Sequence, residues 1–421
     1  MGACVSNEAI DRRYLKTRLR KALKRIFTMN GSDVHEYLTQ RVGHVSVIFE
    51  DQLIIVWGGY NRNKNTGYSY YDPSKIGMLN AINNNGQVLS TTGEIPPKTC
   101  GATSAIHSNN MYVIGGFFVR DDESIANNTN EIYCLNLTTK VWRKITPRML
   151  DGHPDLAPCD KLSSWTFRDY IYIFGGFGPN PFLDRPPPDV TYFEDTESFR
   201  GWNNQTVRFD IKNNTLKWVH VLGDFPGPRA AHVTICDSDS KKVILMGGRF
   251  ENKRLDDLYI GDLSKSDQIT WNRILKKNDS DPWPCGRSWH TMNLLNSGSF
   301  VLYGGYDTRR NPLNDCWIFN FEAQKWTCPK HQSQDKRLWH TAHYVPPISQ
   351  VFLIGGVWKD IQNNETEVMH PPTLGHIQLS PLPLKLSSLE VVVKNRKLFS
   401  DNFKDLPTNI QHQIFLRQQN L

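Results

Sequence analysis

Six short apolar strands in this chain each end on a pair of glycines: IIVW before Gly58, YVI before Gly115, YIF before Gly175, ILM before Gly247, VLY before Gly304 and FLI before Gly355. The pairs recur at intervals of roughly 50 to 70 residues, the spacing of propeller blades. Paired glycines at a strand end mark backbone that turns with positive φ, or that lies too close to a neighbour for a side chain. After each pair comes a turn-rich stretch and then an outer hairpin, with Trp142, Trp218, Trp271 and Trp326 at one place in its last strand. A large aromatic repeated there fills the space between adjacent blades. A second element precedes the glycine strand: an arginine three residues before His44, His232, His290 and His340. These histidines are expected to anchor turns inside each blade. Metal ligation is the weaker alternative, because equivalent blade positions are spread around a ring and not gathered in one shell. The expected fold is all-β, a six-bladed propeller over residues 35–378.

Composition agrees. In 421 residues, 39% are hydrophobic and 12 are tryptophan, enough for one large ring. No run of about 18 apolar residues is present to cross a membrane, and the start lacks the apolar stretch of a signal peptide. Eight cysteines without a Cys-x-x-Cys pair, in or beside strands, read as buried reduced thiols of a cytoplasmic or nuclear protein, in which sequons such as Asn136 stay unmodified.

Charge is concentrated at one end. Residues 1–30 hold eight Lys or Arg against Glu8 and Asp11, so six of the chain's seven net positive charges lie there. The propeller body is close to neutral and offers no basic stripe for nucleic acid. This 1–34 arm opens with Met-Gly-Ala-Cys-Val-Ser, the pattern for myristoylation of Gly2, with Cys4 placed for palmitoylation. Leu15, Leu19, Leu23 and Ile26 share one face of a helix, so acyl chain, second lipid and basic face could act together at a membrane surface. The alternative is a solvated basic arm.

At the other end, residues 379–421 carry apolar positions at helical spacing in two short segments and too few glycines for another blade. Two amphipathic helices there either fold back as a cap or dock on a partner.

From about Arg41 onward the chain resembles the kelch domain-containing substrate receptors of cullin-2 ubiquitin ligases, the group of kelch domain-containing proteins 1 and 2. The resemblance rests on RVGH followed by VWGGY, CDKLSSW, FRGWN, PRAAH, GGRFENKRLDDLY, CGRSWH and RLWHTA. It implies a kelch propeller, no cofactor, no catalysis, and recognition of a substrate's free C-terminus, typically one ending in glycine. It also implies partners: Leu384, Ser388 and Val392 match a box that binds elongin C in the elongin B–elongin C pair, and Leu406, Pro407, Ile410 and Ile414 match the cullin-2-selecting box.

In such receptors the residues matching Arg249 and Arg254 clamp the terminal carboxylate and the one matching Ser288 adds a hydroxyl. Trp289 and Trp202 match aromatic walls, and Lys161 a polar wall. Phe177 departs from the pattern, standing where a tyrosine occurs in the family. The chemistry is sound, because a buried carboxylate needs its water replaced by charge and hydrogen bonds, and a guanidinium fork meets two oxygens at once. On the residues alone, Arg249 and Arg254 have a plainer reading as ion-pair partners of Glu251, Asp256 or Asp257.

The long gap between the third and fourth glycine pairs, closed by Trp202, reads as a lid over the pocket or as a surface insertion. A scaffold without ligase association is the alternative function. An enzyme is not expected: the chain has no Glu-x-x-x-Asp-x-x-x-His run and no clustered Cys, Tyr and His set of the kind that supports iron or copper chemistry on kelch rings.

Overall fold

The computed structural model describes residues 31–379, except 64–66, 120–125, 151, 153, 183–186, 188, 196–198, 297, 330–334 and 360–368. Gly2, Cys4 and the tail positions Leu384, Ser388, Val392, Leu406, Pro407, Ile410 and Ile414 lie outside the described residues.

Six antiparallel sheets stand around one axis as a β-propeller. Their innermost strands adjoin in chain order: Val45–Phe49, Thr103–His107, Ser163–Phe167, Val233–Asp237, Thr291–Asn296 and Thr341–Val345, the last returning to the first. Second strands such as Leu53–Trp57 are buried along their whole length, which their unbroken apolar runs require of strands packed on both faces. Three outer edges are stitched by the incoming chain. Thr92–Gly93 runs parallel to the outer strand of blade two, Arg148–Met149 to that of blade three, and His220–Gly223 to that of blade four.

The tryptophans fill the seams between blades, each buried against the blade before it. Three share one register, in the ladders Met111–Leu135–Trp142, Val243–Gly261–Trp271 and Phe300–Phe319–Trp326. Trp218 does not. In blade three Leu216 takes that place opposite Phe209, and Trp218 sits two residues on opposite Val207, still on the same face of the strand.

In blade one the matching ladder is Ile54–Leu79–Gly86, so the seam-filling side chain is missing. Helix α1, Gly31–Thr39, fills the gap. A Cβ on Gly86 would stand 2.5 Å from Val34 Cγ1, and one on Gly77 2.6 Å from Leu38 Cδ2. Val34 and Leu38 join Ile54 and Leu79 of blade one and Phe352 and Ile354 of blade six in one buried cluster. The propeller therefore begins inside this helix, which straddles the boundary expected at residue 34.

The repeated arginine braces its own blade, and the repeated histidine joins that blade to its neighbour. Arg229 donates to the Gly247 carbonyl at 3.1 Å and forks onto Asp257 at 2.6 and 2.9 Å; Arg287 does the same with Gly304 and Asp315. The histidines reach out of their own blade, contrary to the expected role within it. His44, His232 and His340 pair with Thr341, Ser163 and Thr291 of the preceding blade. Both glycines of each pair are needed. Gly247 (φ +65°) packs under the next blade's Arg287 carbonyl and His290 ring, while Gly248 (φ +105°) lies against His232 of its own blade.

Burial holds these histidines neutral, pushing His290 down to about 3 and His343 down to about 4, with His44, His232 and His340 also well below normal. An unfolded histidine protonates near about 6.5, so below that pH the unfolded chain binds more protons than the folded one. Each buried ring then removes up to about 1.4 kcal/mol of stability per pH unit. Calorimetry should show Tm falling steeply from neutrality toward about pH 4, and a flat Tm across that window would contradict the neutral ring. Among the seven described cysteines none is bridged; Cys100, Cys134, Cys159 and Cys316 are buried as expected, whereas Cys285 and Cys328 are exposed.

Candidate functional site

One residue per blade forms a collar at the mouth of the ring. Gly43, Gly101, Lys161, Ala231, Trp289 and Trp339 all have φ between 54 and 65°. Each N–H from Gly101 onward donates to the carbonyl of the one before, at 2.7 to 3.0 Å. For a bulky residue this left-handed geometry is costly and persists only where its surroundings over-determine it. Here the bonds to neighbouring blades do so, and they set Lys161, Trp289 and Trp339 at the mouth.

Arg249 and Arg254 face each other across a two-stranded hairpin, Arg249–Phe250 against Lys253–Arg254. Arg249 lies 5.7 Å from the Trp202 ring, and Arg254 lies 5.8 Å from Trp289 and 5.4 Å from Tyr306. Neither makes an ion pair among the described residues: Asp257 is taken by Arg229, and Glu251 offers Arg249 only its backbone carbonyl, at 2.7 Å. Burial lowers both pKa values, with Arg254 pushed down to about 10 as the Arg249 charge adds to its desolvation. Ser288 is fully buried, and its Oγ, like Arg254 Nε and Trp289 Nε1, has no hydrogen-bond partner among the described residues. Buried donors without acceptors beside two cations that make no ion pair cost stability, and an oxyanion between them would supply both charge and acceptors.

Lys161 differs from its expected role as a simple polar wall. Its Nζ is bound to Asp160, which also accepts from Arg200 Nη2 at 3.1 Å. Phe177 packs against Trp202 at a tilt of 56°, with centroids 4.9 Å apart, under Arg200 at 4.6 Å. The long insertion is a small sheet in which Arg200–Asn203 lies between Phe177–Gly178 and Tyr192–Asp195. It leans on the arginine hairpin through Phe193 and Trp202, which contact Phe250 at 5.0 and 5.8 Å. The insertion thus forms a wall of the mouth.

All seven site residues expected from the sequence are gathered around this mouth. The sequence reading missed Trp339, Tyr306, Arg200 and Asp160. Trp339 stacks on Trp289 at 5.2 Å and could have been found, since it holds the same place in RLWH as Trp289 in RSWH. Beside the arginine hairpin a cleft of 570 Å³ opens over Tyr60, Tyr70, Phe117 and Trp339, with Asp160, Lys161 and Arg200 on one wall.

Comparison with known proteins agrees with this architecture. Residues 25–200 and 194–399 match the KLHDC2/KLHL20/DRC7 Kelch-repeats domain. Kelch domain-containing protein 2 of Bos taurus is 29% identical over 385 residues, covering 89% of this chain and 90% of that protein. Kelch domain-containing protein 1 of Mus musculus is also 29% identical over 385 residues, covering 89% of each. Host cell factor 2 of Homo sapiens is 25% identical over 327 residues, 70% of this chain and 36% of that one.

Proposed function

The chain belongs to the KLHDC2/KLHL20/DRC7 kelch-repeat family, a protein-interaction module related to kelch domain-containing proteins 1 and 2, and on that premise we propose that it captures the free C-terminus of substrate proteins in its mouth. The observation that carries this reading is the pair of arginines Arg249 and Arg254, which make no ion pair among the described residues, beside the orphaned hydroxyl of Ser288. A terminal carboxylate supplies the acceptor that both forks and the hydroxyl lack, and a terminal glycine lets the backbone approach Trp289 and Trp202 closely. The receptor then presents its cargo to a cullin-2 ubiquitin ligase. The tail would engage elongin C through Leu384, Ser388 and Val392, and cullin-2 through Leu406, Pro407, Ile410 and Ile414. Acylation at Gly2 and Cys4 would hold the receptor at a membrane.

Fluorescence polarisation with a Gly-Gly peptide and its C-terminal amide tests the core of this. The acid should bind at least about thirtyfold more tightly, because amidation removes the charge that both arginines need. Its affinity should hold through neutral pH and fall as Arg254 deprotonates toward about 10. Equal binding of acid and amide would leave the scaffold reading in its place.

A further inference from the structure

We propose that the cleft beside the arginine hairpin is a second recognition pole, which selects an acidic side chain in the substrate shortly upstream of its terminus. This rests on the C-terminal capture described above and adds a specificity to it.

Charge and shape point the same way. Asp160 is almost fully buried and holds two cations, Lys161 on one oxygen and Arg200 on the other. The group keeps a net positive charge, and its cations are only partly covered, with side-chain exposures of 22% for Lys161 and 27% for Arg200. Arg200 is fixed as well as charged, lying 4.6 Å over Phe177 and 5.3 Å from Phe117, and its buried Nε has no partner among the described residues. A guanidinium clamped between rings with a spare donor is a preformed partner for a carboxylate. The opposite wall is aromatic: Tyr60 packs against Tyr68, Tyr70 and Trp339 at 5.3, 5.6 and 6.0 Å, a surface for the aliphatic stem of a glutamate and for peptide backbone.

The two poles are joined. Lys161 Nζ lies 5.8 Å from the Trp339 ring, Trp339 lies 5.2 Å from Trp289, and Trp289 lies 5.8 Å from Arg254. That path is no longer than about five residues of extended peptide, so one substrate tail can reach both. Arg249 and Arg254 bind the terminus by its charge, and Arg200 with Lys161 reads a second charge at a set distance.

The test uses the full-length protein and peptides that share a free Gly-Gly end, with Glu, Lys or Ala placed in turn at each of the upstream positions. At one or two adjacent positions Glu should bind about tenfold more tightly than Lys, with Ala between. Arg200→Gln neutralises the pole and should close most of that gap while the preference for acid over amide persists. Should that variant fail to fold, Arg200→Met, which keeps the apolar stem over Phe177 and removes the charge, reads the same loss. Equal binding of Glu and Lys peptides at every position, with the acid-over-amide preference intact, would overturn the second pole alone. Loss of the acid-over-amide preference in the wild-type protein would overturn C-terminal capture, and the second pole with it.

Discussion

Arg254→Ala should weaken binding of a Gly-Gly acid peptide by about thirtyfold to several thousandfold, equivalent to about 2 to 5 kcal/mol, while leaving Tm unchanged or higher. The two readouts are expected to diverge because Arg254 is a liability to the empty protein. It is half-buried against Trp289 and Tyr306, faces Arg249, and makes no ion pair among the described residues. Removing a half-buried cation that has no ion-pair partner relieves a desolvation cost, and removing the same cation from a complex strips a charge-assisted bond from a bound anion. Arg249→Ala should behave alike. Ser288→Ala should cost less, about 0.5 to 1.5 kcal/mol for one neutral hydrogen bond and up to about 3 for one made to a carboxylate. Isothermal titration beside calorimetry checks both. An Arg254→Ala protein that loses affinity only in proportion to lost fold would remove the arginines from the recognition site.

Leu38→Ala should destabilise the ring by about 2 to 5 kcal/mol, the range for emptying a fully buried leucine site. The seam it occupies is the one closed by helix α1, where Gly77 and Gly86 leave room for Leu38 and Val34. Gly86→Leu attacks the same contact from the other side, since its Cβ alone would stand 2.5 Å from Val34 Cγ1. Urea unfolding measures the loss. Hydrogen exchange should locate it at the inner strands Val45–Phe49 and Thr341–Val345, on the two sides of the seam. Wild-type stability in both variants would mean that the helix merely rests on the ring.

The propeller was legible because its strongest signals are local. A glycine pair at the end of an apolar run, and an arginine three residues before a histidine, report geometry that each blade needs separately. Their partners were harder to read, since His232 answers to Ser163 and His44 to Thr341, residues of other blades. Helix α1 was hidden for a different reason: its packing partners are absences, the missing side chains of Gly77 and Gly86, and only blade one's lack of a seam tryptophan hints at it. Arg249, Arg254 and Ser288 were found through family resemblance; their neighbouring acids gave the opposite reading, which the Arg229–Asp257 pair displaces. The ion group of Asp160, Lys161 and Arg200 could not be foreseen, because Arg200 arrives from an insertion 40 residues away.

The stitching of the outer edges gives the ring unequal elasticity. Blades one to four are tied in sequence by the parallel segments Thr92–Gly93, Arg148–Met149 and His220–Gly223. Among the described residues, no such segment ties the outer edges from blade four through five and six back to one. In the first arc each outer edge is therefore hydrogen-bonded to the chain leaving the blade before it. Helix α1 closes the seam of blades six and one instead, packed on Gly77 and Gly86 in the outer strands of blade one, so the seams left to side-chain packing, histidine bonds and the collar alone are those between blades four, five and six. Trp289 and Trp339 sit on blades five and six, so any widening of the mouth for a bulky ligand is expected there, opposite the wall on blade three that a parallel segment ties to its neighbour.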